Sequence, residues 1–240
     1  MAAPASREKL GASLHPLLDE RSPADALAAY YAFHHPLERS EIFIHPPEAD
    51  PADGFLVRAR TGFDLFRPLV TYRARTEAAA LALFQAGLPS NRPVYLTVPQ
   101  ALAAWANKHL AVTEAELHRV DRLDPARYRP EINILVVTSL GADGWPRCEI
   151  QGAGGAGAAA GINWQSPLFA EVFVYTAPAV RGRGWGRSVV NAVSGLILES
   201  GRTPLFIVAE SNTASIALAE SVGFLDTGLR EYVGQAVRTE

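Results

Sequence analysis

Three glycines and three arginines alternate in Arg181-Gly182-Arg183-Gly184-Trp185-Gly186-Arg187, an arrangement suited to gripping a phosphate. Glycines let the backbone come close to a large anion, and guanidinium groups present forks that match phosphate oxygens. A helix starting at that point would add unpaired N–H groups and the positive end of its dipole. The spacing excludes two common nucleotide motifs. A Walker-type loop needs lysine directly after its last glycine, and lysine occurs only at Lys9 and Lys108. The dinucleotide fingerprint needs its third glycine one residue later, where this chain has Arg187, and the following apolar run Pro204–Ala209 contains no acidic residue. What remains is an Arg-x-x-Gly-x-Gly element over Arg181–Gly186.

The flanking residues predict the elements that must hold this turn. Glu171–Thr176 is rich in β-branched and aromatic residues and predicts a buried strand, which Ala177-Pro178-Ala179-Val180 leaves because proline cannot donate to the ladder. From Gly186 onward, Val189, Val190, Val193, Leu196 and Ile197 fall on one helical face, and Gly201 stands where a C′ glycine ends a helix. Leu205–Ala209 predicts a second buried strand, led into by Pro204. Ser211 or Asn212 can cap a further helix that Gly223-Phe224 closes, and a last strand begins near Phe224 and runs past Tyr232. Upstream, Arg147–Gln151 and Ala159–Trp164 read as strands around Gly152–Gly157. Because a strand follows that glycine run, it reads as a flexible hairpin rather than a phosphate loop.

The first half repeats the order of elements. Phe55–Arg60 and Phe63–Arg73 predict a hairpin about Thr61-Gly62, Glu77–Ala86 a helix, Val94–Val98 a strand, Gln100–His109 a helix and Glu114–Val120 a strand. Arg73-Ala74-Arg75-Thr76-Glu77 stands where the second half has its glycine-rich turn, and without glycine the backbone there cannot closely approach a large anion. Residues 123–130, with Pro125 and Pro130, read as a linker between two halves, 1–122 and 123–240.

At Arg181, Gly184 and Gly186 the chain resembles the GNAT superfamily of acyl-CoA-dependent N-acyltransferases. Its members grip the pyrophosphate of coenzyme A with an Arg/Gln-x-x-Gly-x-Gly/Ala turn after the fourth strand of their fold. Asn212-Thr213-Ala214-Ser215-Ile216-Ala217-Leu218-Ala219-Glu220-Ser221-Val222-Gly223-Phe224 is similar to the second signature of the family. The resemblance implies an α/β (α+β) fold, a mixed and mostly antiparallel central sheet flanked by helices. It makes 1–122 a degenerate GNAT-like domain and 123–240 an acetyl-CoA-binding one, two halves in tandem. It further implies that Val174, Tyr175 and Thr176 hydrogen-bond the pantetheine arm through their backbone. Arg181, Gly182, Arg183, Gly184, Trp185, Gly186 and Arg187 would hold the pyrophosphate, and Asn212 would contact the pantetheine or its sulfur end while capping its helix.

The implied reaction is direct attack of a neutral primary amine on the thioester of acetyl-CoA. It needs a proton acceptor, donors for the carbonyl oxygen and an acid for the leaving thiolate. Many relatives place a tyrosine acid where this chain has Ala219. Glu171, at the head of its strand, matches a glutamate of many relatives and is the first candidate base; Glu210 is the second. Tyr175 and Ser215 are candidate proton donors, and a backbone amide near Val174 would serve the oxyanion. Ala219 also motivates an alternative, a non-catalytic acyl-CoA-binding or sensing module.

Composition narrows the partners. In 240 residues a net charge of −3 and a pI near 6.1 argue against a nucleic-acid or anionic-membrane partner; the resemblance implies a small-molecule or peptide amine as acceptor. Cys148 is the single cysteine, so no internal disulfide can form. Met1–Lys9 lacks the apolar core of a signal peptide, and no run nears the roughly 18 apolar residues of a membrane span, which predicts a cytoplasmic protein. His34, His35, His45, His109 and His118 lack ligand spacing, so no metal is expected. Tyr30-Tyr31-Ala32-Phe33 reads as the core face of a helix, and Trp145 and Trp164 as strand packing. Oligomeric state, a homodimer included, stays open.

Overall fold

Strands and helices end where proline, glycine and capping side chains interrupt the apolar runs. The computed structural model describes residues 7–47, 49–62, 64, 66–152 and 154–239. Met1–Ser6, Phe63, Leu65 and Ala153, on which parts of the signal-peptide, hairpin and glycine-run expectations fall, lie outside the described residues. The chain forms two units, Met1–His118 with Arg230–Glu240, and Arg119–Leu229.

In the first unit, α1 (Arg7–Leu14) and α2 (Ala26–Ala29) precede strands β1 (Ser40–His45), β2 (Gly54–Ala59) and β3 (Leu69–Ala74). Helix α3 (Glu77–Gly87), strand β4 (Pro93–Pro99), helix α4 (Ala103–His109) and strand β5 (Ala111–Leu123) follow. β1, β2 and β3 pair antiparallel, while β3 and β4 pair parallel across the α3 crossover. Tyr30, Tyr31, Ala32 and Phe33 are buried in a π turn that prolongs α2. Thr76 caps α3 by accepting from the Ala79 amide at 3.1 Å. The second hairpin strand is Leu69–Ala74, and Asp64 and Phe66–Pro68 of the predicted Phe63–Arg73 run lie outside it. Asp64 accepts from the amides of Phe66 at 2.8 Å and Arg67 at 3.1 Å, a local turn that competes with the ladder. These amides, with the Arg67 guanidinium, hold the Asp64 carboxyl below its ordinary range. Leu56, Val70, Tyr72, Leu83, Phe84 and Leu96 centre the core of this unit.

The second unit contains β6 (Val137–Leu140), β7 (Pro146–Gly152), β8 (Gly155–Gln165) and β9 (Phe169–Thr176), paired antiparallel in that order. Helix α5 (Trp185–Glu199) crosses over to β10 (Thr203–Ala209), which runs parallel to β9, and α6 (Thr213–Val222) leads into β11 (Phe224–Val237). Pro204 lies within β10 rather than before it, in register with Ala170. Gly201, at φ +79°, follows α5, and Gly223, at φ +113°, closes α6. Val189, Val190, Val193 and Ile197 bring one face of α5 into a core with Ile150, Ile162, Val172 and Phe206; Leu196 packs against its margin. Cys148 is fully buried there, and burial pushes its thiol up. The arrangement is a mixed, mostly antiparallel sheet flanked by helices. The order strand, helix, strand, helix, strand recurs as β3-α3-β4-α4-β5 and β9-α5-β10-α6-β11.

The stretch read as a linker is fastened down. Asn191, 2% exposed on α5, donates to the Arg129 carbonyl at 2.9 Å and accepts from the Glu131 amide at 2.9 Å. The Tyr128 hydroxyl donates to the Asn191 carbonyl at 3.0 Å. Asn191→Ala strands the Arg129 carbonyl and the Glu131 amide, so unfolding stability should fall by about 2 kcal/mol in denaturant titrations.

Candidate functional site: a cleft where two parallel strands part

The parallel register of β9 and β10 pairs Thr203 with Phe169, Pro204 with Ala170 and Leu205 with Glu171, and ends there although the strands continue to Thr176 and Ala209. On its other side β9 stays paired with β8 as far as Thr176. One edge of Val172–Thr176 therefore lacks a neighbouring strand, and its backbone groups face a cleft. Val174, Tyr175 and Thr176 line that cleft, whose volume is about 640 Å³.

The Arg181–Arg187 turn forms the far wall. Gly182 and Gly184 adopt φ +77° and +76°, left-handed values that favour glycine, and Gly184 is the N-cap of α5. The first bond of the helix end runs from the Ser188 amide to the Gly184 carbonyl at 3.0 Å, so the preceding amides have no intrahelical partner. Gly186 lets this helix end approach the strand. A Cβ there would lie 2.7 Å from Thr176 Oγ1 and 2.8 Å from Leu218 Cδ1. Gly186→Ala should therefore lower stability by about 2 kcal/mol, read as a lower Tm, and loosen the cleft with it.

Arg181, Gly182, Gly184, Trp185, Gly186, Arg187 and Asn212 line the cleft with the strand residues, and among the described residues no carboxylate is in that lining. Arg181 Nε donates to the Thr176 carbonyl at 3.3 Å, and Arg187 is ion-paired with Glu131. Asn212 caps α6 by accepting from the Ser215 amide at 3.1 Å, which leaves its carboxamide N–H groups as donors. Arg183 is exposed and does not line the cleft.

Glu171 stands at the apex, in the last register pair before the strands part. Its carboxylate is enclosed by protein atoms, although the residue keeps some exposed surface. Burial raises its pKa to about 7; Asn163 Nδ2, donating at 3.1 Å, and the Trp164 indole oppose that shift. A carboxyl poised near neutrality can accept a proton and return it at physiological pH. Glu171 is not in the cleft lining, and Glu210 is exposed beyond the end of β10. Tyr175, 53% exposed, and Ser215 both line the cleft, whereas Ala219 is fully buried in the core.

Sequence reasoning missed the partner of Trp185. A Cβ on Gly157 of β8 would come within 2.5 Å of Trp185 Cζ3, so the glycine run admits the indole of the turn. The signal was present in a glycine placed inside a strand, where close approach is a common cause. In the first unit the β3–β4 register also ends early, at Val70 and Leu96. There the fully buried Tyr72 packs edge-on against Phe84 at 4.9 Å, and its hydroxyl donates to the Leu102 carbonyl at 2.7 Å.

Among the described residues no group of histidine, cysteine and carboxylate side chains is placed to hold a metal. No helix among them is long and apolar enough to cross a membrane.

The model of the FR47-like protein family matches residues 154–233, which span the cleft. No curated protein matches the chain. Several solved structures share its architecture. A tandem GNAT protein from the clavulanic acid biosynthesis pathway is 12% identical, with a TM-score of 0.63 over 98% of this chain and 94% of that one. A GNAT-family protein from Novosphingobium aromaticivorans is 19% identical, with a TM-score of 0.61 over 77% and 89%. A GCN5-related N-acetyltransferase from Kribbella flavida is 14% identical, with a TM-score of 0.60 over 87% and 94%. The family match and these likenesses show that the fold is GNAT-like.

Proposed function

We propose that this protein is an acyl-CoA-dependent N-acetyltransferase that moves an acetyl group to a primary amine. The observation that carries the proposal is the joining, in one cleft, of an unpaired strand edge and a glycine-capped helix N-terminus flanked by arginines. An extended amide-bearing arm suits the first, and a pyrophosphate suits the second. The residues present fit coenzyme A: backbone groups of Val174–Thr176 would take the pantetheine amides. The amides of Gly182–Arg187, with Arg181, would take the pyrophosphate, while Arg183 adds charge from outside the lining. Asn212 would donate to the pantetheine end while capping α6.

When bound, acetyl-CoA supplies an acetyl thioester activated towards amines. Glu171 serves as proton acceptor for the incoming ammonium, directly or through water, and Glu210 is the second candidate. The backbone near Val174 would donate to the acetyl oxygen. Tyr175, exposed in the cleft, is the candidate donor to the leaving sulfur, in place of a side chain at Ala219. The first unit would be a degenerate GNAT-like domain, its equivalent opening filled by Tyr72. The acceptor would be a small-molecule or peptide amine in the cytoplasm.

A coenzyme A-release assay over a panel of amines tests this reading, with turnover expected for at least one acceptor. Tight acetyl-CoA binding without turnover on any amine would replace it with a non-catalytic acyl-CoA sensor, the reading that the buried Ala219 favours.

A further inference from the structure

A second hollow, of about 260 Å³ and within the first unit, is rimmed by Arg39, Arg58, Arg60 and Arg92. Among the described residues Glu41 is the one carboxylate in its lining, against four arginines, so the hollow is cationic in a chain whose net charge is −3. The strands account for the convergence. Glu41 and Arg58 are register partners across β1 and β2, and the Arg60 amide donates to the Arg39 carbonyl at 2.8 Å, so alternation brings these four side chains to one face. Arg92 arrives from the turn before β4. That turn is braced, because the Asn91 amide donates to the Arg238 carbonyl at 2.9 Å and Arg238 Nε donates to the Leu88 carbonyl at 2.8 Å.

Two of the four guanidinium groups are already positioned. Arg58 donates to the Gly87 carbonyl and to Glu41, each at 2.7 Å, and Arg60 donates to the Glu38 carbonyl at 3.2 Å. Arg39 and Arg92 make no side-chain hydrogen bond or ion pair among the described residues. A single carboxylate is saturated by one guanidinium fork, as Glu41 on Arg58 illustrates. Several cations from different directions instead suit a tetrahedral dianion. The lining includes four rings, Pro68, Pro89, Pro93 and Phe66, the last 89% exposed. An exposed aromatic face beside cations is a stacking platform for a flat ring.

We propose that this hollow binds a small phosphate ester carrying a flat ring, for which adenosine monophosphate is the simplest probe. The volume, just below the roughly 300–1,000 Å³ usual for ligand sites, limits the occupant to a small molecule. The binding is independent of the cleft beside α5.

Calorimetric titration of the full chain with adenosine monophosphate, adenosine and inorganic phosphate tests it. The nucleotide should bind more tightly than phosphate, and adenosine alone should not bind. An Arg39→Ala, Arg92→Ala double variant, with both residues exposed, should weaken nucleotide binding at least 10-fold with an unchanged melting curve. Phe66→Ala should weaken the nucleotide without affecting phosphate. Undiminished nucleotide binding in the double variant overturns the proposal, as do equal affinities for nucleotide and phosphate. Loss of nucleotide binding in Gly184→Asp with retention in the double variant also overturns it, because the ligand then belongs to the other cleft.

Discussion

Gly184→Asp is expected to leave the protein folded and to weaken acetyl-CoA binding by two orders of magnitude or more. The position has φ +76° and caps α5, and nothing among the described residues lies within 4 Å of a Cβ built there. Aspartate tolerates the left-handed region better than most residues and favours helix N-caps, so the loss of stability should stay near 1 kcal/mol. The effect on a pyrophosphate is the reverse. A fixed carboxylate would occupy the positive end of the helix dipole and take the amides that the ligand needs. Gly184→Asn separates charge from strain, because it carries the same shape without the charge and should weaken binding far less. Calorimetry with acetyl-CoA on both variants reads the difference, and equal losses would show that backbone strain rather than charge is responsible.

The second large effect concerns Glu171. With its pKa raised to about 7 by burial, the ionised fraction grows as pH rises from 5 to 8. An ionised acceptor predicts that kcat/KM climbs through that range and levels above it. Glu171→Gln should lower kcat by about 100-fold or more and erase the inflection near pH 7. If instead the profile keeps its inflection, the acceptor lies elsewhere, and Glu210→Gln becomes the next variant to measure. Stability should move the opposite way. The folded pKa lies above the unfolded value, so ionisation favours the unfolded chain, and wild-type stability falls as pH rises from about 4.5 to about 7. Glu171→Gln should therefore be more stable than wild type by about 3 kcal/mol at pH 8, with no such gain at pH 4.

The elements around the cleft were legible because their signals are local. The one-faced run from Val189 to Ile197, the capping Asn212 and the closing Gly223 mark α5 and α6 without reference to distant residues. Pairing is not local. Nothing within Glu171–Thr176 says that β10 leaves it after Leu205, since that depends on where α5 delivers the chain. The hold of Asn191 on Arg129 and Glu131 was likewise hidden, because a polar residue on an apolar helix face does not name partners some 60 positions away. Asp64 misled through composition: the run from Phe63 to Arg73 reads as a strand until its carboxylate is seen taking two amides for a turn. The three-glycine turn itself was legible, whereas the glycine in β8 that accommodates Trp185 was read only as looseness.

The cleft is built chiefly from main chain: a strand edge released by an interrupted register, and a helix end opened by glycines. Main-chain groups are present whatever side chains a lineage accumulates, so such a site tolerates wide sequence drift while a few small residues keep the approach open. Structures only 12–19% identical can therefore share this fold. For protein engineering, side chains around the cleft can be replaced without closing it, provided that Gly184, Gly186 and Gly157 are left in place.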